Sequence, residues 1–284
     1  MINKVAIIGI GAMGSGIAYV SAWNGYTVTC RDISQELVDT GINKIRQSVM
    51  TGIDKGKLSP VEGEKILKNI SATTDITEAV QDADLVIEAI FENMKVKKEL
   101  YSQMDSVCPE NTIFASNTST LSISEMASAT KRQDKFIGMH FFNPVPAMKL
   151  VEIVIGEKTS EETYKVAEDF CKTLGKQTVK ARDSPGFIVN RILLPTLNEA
   201  MKLVDSGVAT KEDVDKAMML GANFPMGPFA LADYVGLDVA FAAITTMYEA
   251  FGDYYKPSDT LKELVENGNF GRKTGKGFYE YTKK

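Results

Sequence analysis

The chain has 284 residues, 44% hydrophobic and 24% charged, a length for one large domain or two ordinary ones and a composition that excludes long disorder. Thirty-two Lys and Arg against 37 Asp and Glu leave a net charge of −5, which gives no global attraction to nucleic acid or to an anionic membrane. Three widely spaced cysteines, Cys30, Cys108 and Cys171, and a single histidine, His140, argue against a disulfide framework or a metal site and point to a reducing, cytoplasmic setting.

Lys4 ahead of an apolar stretch resembles the start of an export signal. Gly9, Gly11, Gly14 and Gly16 interrupt that stretch at the spacing of another motif, so export is not expected. No uninterrupted run of about 18 apolar residues occurs, so no membrane span is expected either.

A strand is expected over 4–9. It runs into Gly9-Ile10-Gly11-Ala12-Met13-Gly14 and a helix over 13–23. In this order the first glycine permits a tight turn, the second lets backbone approach a pyrophosphate, and the third lets helix pack on strand. The N–H groups opening that helix, those of Ala12 and Met13 among them, favour the phosphates. A second strand over 26–30 leads to Asp32, whose carboxylate suits the adenosine ribose hydroxyls and repels a 2′-phosphate. Arg31 beside it pulls the other way, toward NADP. The balance favours NAD.

Helices over 34–50 and 60–68 form a hairpin expected to project from the sheet, with Lys55 and Lys57 on its turn. By pattern alone these lysines read as a solvated turn. A strand over 85–89 is followed by Glu92 and then Lys97 on a helix over 94–107. A strand over 112–116 is followed by Asn117. Ligands of doubly wound sheets gather outside the carboxyl ends of strands, so these residues are placed on the nicotinamide side. A strand over 136–140 ends on His140, just before Asn143-Pro144, a turn signal. Glu152, on a strand over 148–155, lies within reach of His140 if the two segments pair as a hairpin. A helix over 161–174 and a strand over 177–180 complete an α/β alternation, a Rossmann-type doubly wound, mainly parallel sheet with a helical-hairpin insertion.

The pattern changes near Ser184, a good N-cap ahead of Pro185 at a first helical position. Helices are expected over 185–205, with a kink at Pro195, then over 211–219, 227–234 and 238–251, and one late strand over 278–281. The domains are therefore 1–184, dinucleotide-binding, and 185–284, all-helical.

Five segments carry a resemblance. They are Ala115-Ser116-Asn117-Thr118-Ser119, Gly138-Met139-His140-Phe141-Phe142-Asn143-Pro144, Met148 to Glu152, Asp183-Ser184-Pro185-Gly186 through Asn190-Arg191, and Gly221 through Pro225 to Pro228-Phe229. With the glycine loop and Gly271 through Phe278, they make the chain resemble the 3-hydroxyacyl-CoA dehydrogenase family over nearly its whole length, the short bacterial 3-hydroxybutyryl-CoA members above all. The resemblance implies His140 as the base that takes the 3-hydroxyl proton while C3 gives hydride to the nicotinamide. It implies Glu152 as the acid orienting the imidazole, and Ser119 and Asn190 as donors to the substrate oxygen. Asn143 joins the cofactor contacts. Because Asn190 lies in the helical domain, closure of the two domains around the ligands is expected. The Lys55/Lys57 turn becomes a candidate for the CoA phosphates, and the helical domain's surplus apolar segments a candidate homodimer interface. The expected activity is reversible (S)-3-hydroxybutyryl-CoA/acetoacetyl-CoA interconversion in short-chain fatty acid or butanoate metabolism. The competing readings are a dehydrogenase of another hydroxy acid and a dinucleotide-binding protein without turnover.

Overall fold

The computed structural model describes residues 2–281. The chain divides into two compact units, Met1–Asp183 and Ser184–Lys284.

The first unit is built on an eight-stranded sheet of order β3-β2-β1-β4-β5-β6-β7-β8. Its strands are β1 (Lys4–Ile8), β2 (Thr27–Arg31), β3 (Ile70–Thr73), β4 (Leu85–Glu88), β5 (Ile113–Ser116), β6 (Phe136–Phe141), β7 (Leu150–Ile155) and β8 (Gln177–Arg182). All neighbours run parallel except β6 and β7. Every residue of β4, β5 and β6 is buried, as a sheet covered on both faces requires.

One face carries α1 (Ala12–Trp23), α2 (Gln35–Asp54), α3 (Pro60–Lys68) and α7 (Glu161–Thr173), whose apolar sides join a single core with β1, β2 and β7. α4 (Ile76–Val80), α5 (Met94–Asp105) and α6 (Ile123–Ala127) complete the unit. Tyr101 of α5 packs edge-on to Phe136, with ring centroids 4.5 Å apart. The α2/α3 hairpin does not stand clear of the body. Val49, Leu58 and Ile66 are buried in the core, and a Cβ on Gly52 would lie 2.8 Å from Leu58 Cδ1. Ser59 closes the turn with a capping box to Glu62.

The second unit holds α8 (Val189–Asp205), α9 (Lys211–Gly221), α10 (Pro228–Val235), α11 (Leu237–Phe251) and α12 (Asp259–Glu266) around a core that includes Leu197, Phe229, Leu237 and Met247. Its first helix starts four residues later than the Ser184-Pro185 signal suggests. Gly186 and Phe187 both take positive φ, +80° and +47°, which no helix interior accepts, so Ile188 becomes the N-cap. Pro195 lies inside α8.

The strand expected over 278–281 is not one. Isolated bridges tie Lys276 to Gly271 and Glu280. The buried Asp233 carboxylate then accepts from the Phe278 and Tyr279 N–H groups and the Tyr281 hydroxyl, each at 2.9 Å. One acid side chain thus replaces a strand ladder. Among the described residues no single helix is long and apolar enough to cross a membrane.

Candidate active site

The strand order reverses at β1, and the crevice there is shaped by glycine. Gly9 has φ +87°, and a Cβ on it would lie 2.9 Å from the Ala89 carbonyl group. A Cβ on Gly14 would lie 1.8 Å from the Gly9 carbonyl oxygen, so the loop closes on helix α1 only with hydrogen at that position. Gly11, the N-cap of α1, supplies no side-chain acceptor. The first-turn N–H groups, with exposed Gly11 and Ala12 and half-buried Met13, are therefore left to an anion. Asp32 borders the crevice. Its Oδ2 accepts from the Ile10 N–H at 3.0 Å, and its Oδ1 from the Ile33 N–H at 2.8 Å. Arg31 donates through Nε to the Thr74 carbonyl oxygen at 3.2 Å, which ties it to the β3–α4 turn. These residues fit a dinucleotide, with the adenosine end at β2.

On the other side of β1, the ends of β4 and β5 carry a polar network. Glu88, the last residue of β4, is fully buried. It accepts from Lys97 Nζ at 2.6 Å, the Ile90 N–H at 2.7 Å and the Ser116 hydroxyl at 2.7 Å. Lys97, 1% exposed, also meets Glu92 at 3.2 Å. Glu92 Oε1 in turn accepts from the Thr118 hydroxyl at 2.8 Å, the Ser119 N–H at 2.8 Å and the Ser119 hydroxyl at 3.2 Å. Burial pushes the Glu92 carboxyl up, but Lys97, the Ser119 N–H and the Thr118 hydroxyl outweigh it and hold the group below its ordinary value. Lys97 is thus enclosed between two carboxylates and reaches the crevice through Glu92.

The antiparallel pairing of β6 and β7 sets His140 directly opposite Glu152. His140 Nδ1 and Glu152 Oε2 are 2.6 Å apart; the imidazole is 6% exposed and the carboxylate fully buried. A carboxylate at that distance favours the tautomer that carries its proton on Nδ1. The Phe142 ring packs on the imidazole with centroids 4.5 Å apart. Asn117, at the end of β5, accepts the Phe141 N–H through Oδ1 at 2.9 Å and so ties β6 to the β5 loop.

Beyond β6, the Asn143-Pro144 peptide is cis and Asn143 is exposed. Lys176, buried and with burial lowering its pKa, donates to the carbonyl oxygens of Val145 at 2.5 Å and Met148 at 2.8 Å. A Cβ on Gly16 would lie 2.9 Å from Val145 Cβ, so α1 packs directly on this loop.

Of the residues singled out in the sequence, the glycine loop, Asp32, Glu92, Asn117, Ser119, His140, Asn143 and Glu152 all fall at carboxyl ends of strands, on loops after them, or opposite such an end, and Lys97 reaches the end of β4 from α5. Lys55 and Lys57 are exposed on the α2–α3 turn. Asn190 is in the first turn of α8, in the second unit. Glu88, Ser116 and Thr118 escaped sequence reasoning. The one signal for Glu88 was an acid closing the otherwise apolar strand Leu85-Val86-Ile87-Glu88. Among the described residues no group of three His, Cys, Asp or Glu could hold a metal ion. Burial pushes the Cys30 and Cys108 thiols up to about 12 and Cys171 higher still, which disfavours their thiolate forms.

Two family descriptions cover the chain: the NAD binding domain of 3-hydroxyacyl-CoA dehydrogenase matches residues 4–184, and its C-terminal domain residues 186–281. The chain is 48% identical to the mitochondrial hydroxyacyl-coenzyme A dehydrogenase of Sus scrofa, over 99% of this chain and 92% of that one. It is 46% identical to the 3-hydroxybutyryl-CoA dehydrogenase of Clostridioides difficile, over 99% of this chain and all of that one. The crystal structure of (S)-3-hydroxybutyryl-CoA dehydrogenase from Ralstonia eutropha superimposes with a TM-score of 0.95 at 43% identity, covering both chains fully.

Proposed function

Since the chain belongs to the 3-hydroxyacyl-CoA dehydrogenase family and is an NAD-binding oxidoreductase, we propose that its reaction is the reversible oxidation of (S)-3-hydroxybutyryl-CoA to acetoacetyl-CoA. The His140–Glu152 pair carries this reading. It puts a buried base, held by a carboxylate, at the end of the strand two places from β4. The short-chain substrate is supported by the names of the Clostridioides difficile and Ralstonia eutropha relatives.

In the oxidative direction His140 Nε2 takes the proton of the 3-hydroxyl as the carbonyl forms, and Glu152 stabilises the resulting imidazolium. The bound nicotinamide supplies the acceptor for the hydride leaving C3. In reduction the imidazolium returns its proton to the nascent alkoxide. The Ser119 hydroxyl, which here donates to Glu92, turns to the substrate oxygen, and Asn190 is assigned the same role by the resemblance of its motif. The glycine loop, Ala12, Met13 and Asp32 take the pyrophosphate and adenosine ribose. Glu92, with Lys97 behind it, and Asn117 and Asn143 take the nicotinamide end. Lys55 and Lys57 meet the CoA phosphates as solvated point charges in an otherwise acidic chain. A homodimer through the second unit is supported by its outward apolar side chains, among them Ile192 at 67% exposure, Leu220 at 77% and Tyr254 at 72%. A cytoplasmic location is proposed with it, from the cysteine usage.

The test is nicotinamide absorbance during incubation with acetoacetyl-CoA, run in parallel with NADH and NADPH. Rapid NADH oxidation supports the substrate and the Asp32 reading together. Preference for NADPH keeps the reaction and moves the specificity to Arg31. Tight cofactor binding without turnover refutes the substrate.

A further inference from the structure

We propose that Glu88, acting through Lys97, fixes the net charge of the β4–β5 cluster at minus one and so tilts the dinucleotide crevice toward NAD⁺ over NADH. The inference rests on the cofactor orientation given above, with adenosine at β2 and nicotinamide on the far side of β1. It concerns a residue that needs no contact with either ligand.

The cluster contains two carboxylates and one ammonium. Glu88 and Lys97 are 0% and 1% exposed and 2.6 Å apart, so wherever the shared proton sits, the pair sums to zero. Glu92 is left over, partly exposed and held in its ionised form by the Ser119 N–H and the Thr118 hydroxyl as well as by Lys97. Tyr101 approaches Glu88 at 3.4 Å but donates to the Ala115 carbonyl oxygen at 3.0 Å, and burial pushes its hydroxyl well above the ordinary value, so it adds no charge. Without Glu88 the same site would hold Lys97 and Glu92 alone, a neutral pair.

A buried ion pair is a poor way to stabilise a strand end, because apolar residues of equal volume do as well or better. Its presence here is accounted for by what it does to Glu92. Lys97 positions the Glu92 carboxylate, and Glu88 prevents Lys97 from cancelling it. The oxidised nicotinamide ring carries a positive charge and the reduced ring none. A unit negative charge several ångströms away, in partly buried surroundings, therefore discriminates between them by about tenfold. Glu88 is thus a positioning residue that sets the redox bias of the bound cofactor.

The experiment is equilibrium titration of the whole protein with NAD⁺ and with NADH, read as the ratio Kd(NAD⁺)/Kd(NADH). In Glu88→Gln the ratio is expected to rise about tenfold. In the double variant Glu88→Gln/Lys97→Met, which restores a net charge of minus one, it is expected to return to the wild-type value. A merely structural role predicts the opposite, since two buried substitutions should perturb more than one. Should Glu88→Gln not fold, the partly exposed Glu92 carries the test: Glu92→Gln raises the ratio and Glu92→Asp, which keeps the charge, does not. An unchanged ratio in Glu88→Gln, or a double variant that fails to restore it, overturns the inference while leaving the assigned reaction intact. A wild-type protein that binds neither dinucleotide overturns the cofactor reading and this inference with it.

Discussion

Glu88 on β4 and Glu152 on β7 are both fully buried, and each holds a nitrogen at 2.6 Å: Lys97 Nζ in one case, His140 Nδ1 in the other. The two pairs nonetheless suit different purposes, and the difference lies in the partner. An ammonium offers only donors and no second site at which a proton could be taken up, so the β4 pair suits a fixed arrangement of charge. An imidazole held at one nitrogen presents the other as acceptor or donor, so the β6–β7 pair suits the exchange of a proton. On the roles proposed above, one sheet uses the same buried carboxylate twice, once to shape a static field and once to orient a moving proton.

Removing the moving part has the largest expected effect. His140→Ala should lower kcat by at least about 10²–10⁴-fold, the range for a lost general acid–base group. Steady-state rates with acetoacetyl-CoA and NADH check this, and near-normal turnover would falsify the assigned role. Glu152→Gln comes next. It keeps the side-chain shape but removes the charge that stabilises the imidazolium, and kcat should fall about 10²-fold with little change in the Kd for NADH. A loss confined to cofactor binding would place Glu152 with Glu88, as a fixed charge, and erase the distinction between the two pairs.

A smaller effect sharpens the contrast between buried charge and solvated charge. Reversing both Lys55→Glu and Lys57→Glu on the exposed α2–α3 turn should raise KM for CoA substrates by about three- to tenfold, less at high salt, while kcat stays near the wild-type value. Truncated thioesters without the nucleotide should be unaffected. An unchanged KM for CoA substrates in this double variant would return the turn to plain solvent.

The two pairs also differ in how far they were legible. His140 and Glu152 could be matched from sequence because a hairpin joins them: 12 residues, one strand reversal, and the register follows. The glycine loop was legible for a similar reason, all its parts being local. Glu88, Lys97, Ser116 and Ser119 meet across two parallel strands and the helix between them, and no local spacing encodes that meeting. β3 was missed because Ile70–Thr73 is a half-exposed edge strand with no alternation to read. α4 and α6, five residues each, are too short to show a 3.6-residue period. α6 is instead defined at a distance: Asp183 accepts from the Ser122 hydroxyl and the Ile123 and Ser124 N–H groups. The false start at Ser184 has the reverse cause, a good local cap signal overridden by the positive φ values of Gly186 and Phe187.

The smallest expected effect belongs to Glu92, which stands between the two classes, partly exposed yet tied to Lys97 and Ser119. Its folded-state carboxyl is held below the ordinary value, so the unfolded chain takes up the proton first as pH falls. Its contribution to stability is therefore complete above the ordinary carboxylate range and disappears as pH drops through the lowered folded value. Glu92→Gln should accordingly melt below the wild type at neutral pH, by about 1–2 °C given its exposure, and the gap should close in acid. Thermal melts of both proteins across that range decide it. A gap that widens in acid would mean that the Lys97 and Ser119 contacts do not favour the ionised carboxylate. The fixed negative charge on which the redox bias of the crevice depends would then be absent.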